Sequence, residues 1–282
     1  MNLAQKVVPV SRYSFLRKAI KDLIPVARRE KYERLRLAKQ YLDLLESCLT
    51  GSIYEDPPLK VLNSSTEFDL QTREYGWDWP SKAHTMIGRK RLNNFRQLTE
   101  TVLMNGTAGD IVETGVWRGG ACILARAVLN VYGDRDRLVW LADSFEGLPP
   151  PKDTIYPADT GDRFHTFSDL AVSLEMVKSN FQKYHLLDDR VKFVVGWFDQ
   201  TLPAMKVQKI AVLRLDGDMY ESTIVALDNL YSKVSVGGFV IVDDYHVVPG
   251  CKQAIHDFAV RNKFDPLLAE IDGVGVYWQK IA

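Results

Sequence analysis

Between residues 109 and 242 the chain alternates short apolar runs with stretches whose apolar residues recur at helical spacing. The runs at 110–113, 138–143, 191–195, 210–215 and 238–242 predict strands, and the stretches at 120–132, 170–184 and 222–231 predict helices between them. Strand, helix and strand in repetition build a doubly wound, mostly parallel sheet with right-handed crossovers. Near the end, residues 266–272 and 275–278 flank a turn containing Asp272 and Gly273, which predicts an antiparallel C-terminal hairpin on one edge and brings the sheet to seven strands.

Ahead of this α/β region the pattern is helical. Leu35, Leu37, Tyr41, Leu42, Leu44 and Leu45 recur within an Arg-, Lys- and Glu-rich stretch, predicting an amphipathic helix over 24–49 that Gly51 and the pair Pro57 and Pro58 terminate. A less regular stretch to about residue 82 carries Tyr75, Trp77 and Trp79, whose rings either line a pocket or pack beneath the loop. Leu92, Phe95, Leu98 and Val102 mark a second helix over 85–102. The expected organisation is an N-terminal helical extension over 1–105 and a nucleotide-binding domain over 106–282. The connection at 146–167, with three consecutive prolines, is too long for an ordinary link in a compact sheet and is a candidate lid.

Composition narrows the chemistry. With 36 basic and 36 acidic residues the net charge is zero, so no long-range field favours nucleic acid or an anionic membrane, and a small-molecule partner is expected. Cys48, Cys122 and Cys251 are odd in number and far apart, which argues against a disulfide framework and for a reducing, cytoplasmic location. No apolar run approaches the roughly 20 residues that span a bilayer.

The candidate chemistry sits where strands end. The first strand runs into Glu113, Thr114, Gly115, Val116 and then Gly119, a glycine turn at which a nucleoside can approach the backbone; a tight strand-to-helix turn without a ligand is the plainer alternative. The spacing is not that of a pyrophosphate-binding GxGxxG, so hydride transfer is disfavoured. The second strand ends in Asp143, followed by Ser144 and Phe145, and an acid there can accept hydrogen bonds from both ribose hydroxyls. Gly196 and Trp197 follow the third strand, where the indole either holds an adenine or joins the core. Asp216 and Asp218 follow the fourth strand, and Asp243 and Asp244 the fifth. Adjacent parallel strands deliver all four carboxylates to one edge, where a hard divalent cation such as Mg²⁺ resolves their repulsion. Asp216, Asp243 and Asp244, each closing a strand, are expected ligands, and Asp218 is the expected general base. Individually such residues also cap helices. His246 is a second candidate for catalysis, with a supporting hydrogen bond as the alternative.

From about residue 41 to 278 the chain resembles the macrocin O-methyltransferase family, enzymes that use S-adenosylmethionine (SAM) to methylate sugar hydroxyls of natural products. The resemblance rests on Asp78-Trp79-Pro80 with Ala83-His84-Thr85-Met86-Ile87-Gly88, on Val112 to Gly120, on Ala142 to Pro149, on Leu213 to Ser222 and on Gly237 to Tyr245. It implies a class I SAM-methyltransferase fold, Rossmann-like in its sheet, and an O-methyltransferase acting on a hydroxyl of a glycosylated natural product, with SAM and Mg²⁺ as cofactors. It also implies a homo-oligomer, SAM held by the Glu113 to Val116 turn, Asp143, Ser144 and the Gly196-Trp197 region, metal on Asp216, Asp243 and Asp244, and Asp218 as base. Departures fall in the first forty residues, in 150–167 and at 246–248, segments that shape an acceptor pocket. A catechol-type O-methyltransferase and a non-catalytic SAM-binding protein are the rival readings.

Overall fold

The computed structural model describes residues 26–60 and 66–281. The first 25 residues of the expected N-terminal extension, including the first two of its helix, lie outside the described residues. The chain divides into two compact units, the first ending at Leu44 and the second beginning at Leu45, within helix α1 (Val26–Leu49). In the first unit Tyr32, Leu35, Leu37, Tyr41 and Leu44 are exposed.

The second unit continues with α2 (Leu70–Tyr75), α3 (Gly88–Met104), β1 (Asp110–Thr114), α4 (Gly120–Val131), β2 (Val139–Asp143), α5 (Leu174–Lys183) and β3 (Val191–Val195). After these come α6 (Phe198–Thr201), β4 (Ile210–Leu215), α7 (Tyr220–Leu230), β5 (Val234–Val242), α8 (Pro249–Arg261), β6 (Ala269–Glu270) and β7 (Val276–Gln279). The seven strands form one sheet in the order β3-β2-β1-β4-β5-β7-β6. β1 to β5 pair in parallel, while β7 runs antiparallel to both β5 and β6. The expected sheet and its C-terminal hairpin are therefore present, with only two residues in the outer strand.

Burial explains the continuous apolar runs. Every residue of β4 is buried, because helices cover both faces of a central parallel strand. One face of the sheet packs Leu213, Val240 and Val242 against Ile224 and Leu227 of α7 and Ile255 and Phe258 of α8. Phe95 and Val102 of α3 and Leu124 and Val128 of α4 are also fully buried, and α3 packs on α4 and on β4.

Two of the differences from the expected elements have local reasons. α5 starts at Leu174 and not at 170, because the Ser173 side chain accepts the Met176 N–H at 3.3 Å and so begins the helix there. α8 was absent from the expected elements, yet its signal stands in the sequence: Pro249 at the first helical position, then Cys251, Ala254, Ile255, Phe258 and Ala259 buried at helical spacing. Among the described residues no helix is long and apolar enough to cross a membrane.

Candidate active site

The sheet order reverses between β1 and β4, and ligands of open α/β sheets bind at such a switch point, outside the carboxyl ends of the strands. The backbone there is built for close approach. Gly115 has φ 82°, and a Cβ on it would lie 1.8 Å from the Asp216 carbonyl oxygen, so only glycine lets the β1 turn pass over the end of β4. At the end of β2, Asp143 accepts the Val116 N–H on Oδ2 and the Phe145 N–H on Oδ1, both at 2.7 Å. It thereby pins two turns together. Burial pushes its carboxyl up while those N–H groups pull it down, and its remaining lone pairs are available to ribose hydroxyls.

Beyond this turn the strand-end carboxylates gather. One oxygen from each of Asp216, Asp243 and Asp244 lies within 4.8 Å of the others. Two buried arginines hold the group. Arg214, within β4, donates from one nitrogen to Glu113 at 2.5 Å and Asp216 at 2.6 Å, and from the other to Oδ1 of Asp243. Arg91, from α3, donates to Oδ2 of Asp243 and, at 3.1 Å, to Asp272 of the hairpin turn. The Oδ2 atom of Asp244 is buried and has no hydrogen-bond partner among the described residues. An orphaned carboxylate oxygen beside two other carboxylates, in an all-oxygen set, is the environment that a hard divalent cation would satisfy. The three acids thus fit such an ion in chemistry and spacing.

Electrostatics follow from this crowding. Burial, then the charges of Asp216 and Asp243, push Asp218 up to about 8, against partial relief from Arg91. Burial raises Glu113 to about 7 despite Arg214. Asp218 also has a left-handed backbone, φ 57°, uncommon for a residue with a side chain.

A cavity of about 890 Å³ opens over these groups. Of the residues expected to bind the cofactor, Glu113, Gly115, Val116, Asp143, Ser144 and Trp197 line it, as do all four aspartates. Thr114, Gly119, Phe145 and Gly196 lie outside its wall and shape the turns behind it. His246 also lies outside the wall, with Nε2 at 2.9 Å from a Glu270 carboxylate oxygen. Trp77 and Trp79 reach the cavity, as do Val247, Val248 and Val274.

The long connection forms part of the wall through Pro149, Pro150, Pro151 and Lys152. Lys152 donates to Glu221 at 2.5 Å and to Asp199 at 3.3 Å, binding this segment to α7 and α6. Buried Asp159 accepts the N–H groups of Tyr220 and Glu221 at 2.6 and 2.9 Å, capping α7 from outside. Sequence reasoning missed Arg91, Arg214, Lys152 and Asp159. Only Arg214 left a sign, as a lone charge inside the apolar run of β4.

The sheet order, the glycine turn after β1, the acid closing β2 and the cavity over both define a class I SAM-dependent methyltransferase. More narrowly, the chain belongs to the macrocin-O-methyltransferase (TylF) family, whose model matches residues 38–280. It is 50% identical over 243 residues to the 8-demethyl-8-(2,3-dimethoxy-alpha-L-rhamnosyl)-tetracenomycin-C 4'-O-methyltransferase of Streptomyces olivaceus, covering 86% of this chain and 93% of that one. It is 46% identical over 246 residues to the mycinamicin III 3''-O-methyltransferase of Micromonospora griseorubida, covering 86% and 96%. The solved structure of the O-methyltransferase NovP superposes with a TM-score of 0.84 at 49% identity, covering 87% of this chain and all of that one.

Proposed function

We propose that the enzyme methylates a sugar hydroxyl of a glycosylated natural product in antibiotic biosynthesis, with a divalent cation, Mg²⁺ by preference, held by Asp216, Asp243 and Asp244. The observation that carries this reading is the unpartnered, buried Oδ2 of Asp244 beside the other two carboxylates, in the wall of the cavity that Glu113 and Asp143 also line. The names of relatives at 46% to 50% identity support the acceptor class, since those proteins act on a rhamnosyl tetracenomycin, demethyldecarbamoylnovobiocin and mycinamicin III.

When bound, SAM supplies an electrophilic methyl group and the cation lowers the pKa of the acceptor hydroxyl. The chain's own residues do the rest. The Gly115 turn and Asp143 hold the nucleoside, Trp197 offers a face to the adenine, and the three aspartates fix the acceptor edge. Asp218 takes the hydroxyl proton; burial, the first cause of its raised pKa, makes its carboxylate a stronger base than a free aspartate. The aromatic and valine side chains of the wall present an apolar surface to the acceptor side.

Calorimetry with S-adenosylhomocysteine and Mg²⁺, paired with turnover on a deoxysugar glycoside, tests the assignment. Asp218→Asn is expected to bind both ligands normally and to lose about a hundredfold or more in turnover. A fully active variant would remove Asp218 from the mechanism, and wild-type protein that binds no cation would remove the metal.

A further inference from the structure

Arg91 is placed like a junction. Its guanidinium, buried at the foot of α3, donates to Oδ2 of Asp243, to Asp272 at 3.1 Å, and to the backbone oxygens of Tyr75 and Gly76 at 3.2 and 3.4 Å. Each partner leads to a different piece of the cavity. Asp243 belongs to the acidic cluster. Asp272 accepts the N–H groups of Val274 and Gly275 at 3.0 and 3.1 Å, fixing the turn that sets Val274 in the wall. The Tyr75-Gly76 carbonyls belong to the turn that presents Trp77, which stacks on Tyr75 at 4.6 Å and also lines the cavity. Gly275 leaves room for the arm: a Cβ there would lie 3.3 Å from the Arg91 Cδ.

We propose that Arg91 is a positioning residue that couples occupation of the Asp216-Asp243-Asp244 cation site to the placement of the acceptor wall at Trp77 and Val274. The inference rests on the proposed cation site. A cation that draws electron density from Asp243 weakens its hold on Arg91, and the fork then redistributes between Asp272 and the Tyr75-Gly76 carbonyls. Lysine cannot serve, since an ammonium does not reach three separated partners in a plane.

Fluorescence of the ligand-free full chain, titrated with Mg²⁺ while binding is followed by calorimetry, tests this, and Trp77→Phe identifies the contribution of Trp77. Wild type is expected to show a saturable shift in Trp77 emission with the calorimetric midpoint. Arg91→Lys is expected to bind Mg²⁺ and lose the shift. Asp272→Asn keeps an oxygen for the Val274 and Gly275 N–H groups, guards against misfolding of the arginine variant, and is expected to reduce the shift at least twofold. Mg²⁺ binding with no Trp77 shift in wild type, or an undiminished shift in both variants, overturns the coupling alone. Absence of calorimetric binding in wild type overturns the cation site, and the coupling with it.

Discussion

Asp244 shows most directly how the site trades stability for chemistry. Its carboxyl is pushed well above the usual range by burial and by Asp218, Asp216 and Asp243, and one oxygen has no partner. Removing a charge from such a cluster relieves repulsion and desolvation. Asp244→Asn is therefore expected to melt no lower than wild type without metal and to lose the rise in melting temperature that Mg²⁺ gives wild type. A variant that melts lower without metal and still responds to Mg²⁺ would contradict this account. His84 makes a contrasting prediction. Burial first, then Lys183 and Arg118, hold its pKa at about 4 against an ordinary 6.5, and its Nδ1 lies 2.8 Å from the Tyr184 hydroxyl. The fold thus keeps His84 neutral, while the unfolded chain takes up a proton as pH falls below 6.5. Its contribution is complete above 6.5 and is lost on the way down to about 4. Denaturant melts across that window should be less steep in pH for His84→Gln than for wild type.

At the scale of elements, the connection after β2 is an example of a loop that supports a helix. α7 begins two residues after Asp218, and two of its first N–H groups are satisfied by Asp159. Asp159→Ala should cost about 1 to 2 kcal/mol in urea unfolding, as for other lost caps. Because the start of α7 positions Asp218, the proposed base, it should also lower turnover. Asp159→Asn, itself a good cap, should retain most of both; equal damage from the two substitutions would point to the charge and not to the cap. Elements were largely legible in sequence where periodicity was strong. The five parallel strands and the helices after β1 and β4 announce themselves by apolar runs and helical spacing. The start of α5 depended on one serine cap, and α8 was overlooked although Pro249 and its apolar spacing mark it.

For the whole molecule, ligands and fold are linked. The residues proposed to hold the cofactor come from the ends of β1, β2 and β3, and the acids from β4 and β5, so unfolding would take both proposed sites apart together. S-adenosylhomocysteine and Mg²⁺ should each raise stability, by about 2.7 kcal/mol at a hundred times the dissociation constant. Thermal melts with each ligand and with both check this, and a lack of response to either would separate that ligand from the folded site. Local residue order specifies the parallel sheet, its hairpin and the acids at the strand ends, because parallel strands that end in carboxylates deliver them to one sheet edge. It also supplied the glycine at 115, which local geometry demands. How the acids are held is set by packing between distant parts of the chain. Arg91 and Asp243 are 152 residues apart in the chain and Arg214 and Glu113 are 101 apart, and a buried ion pair of that kind has no local signature. The same holds for Asp159, whose cap serves a helix 61 residues away: pairing across space depends on the packing of whole layers, which no window of sequence contains.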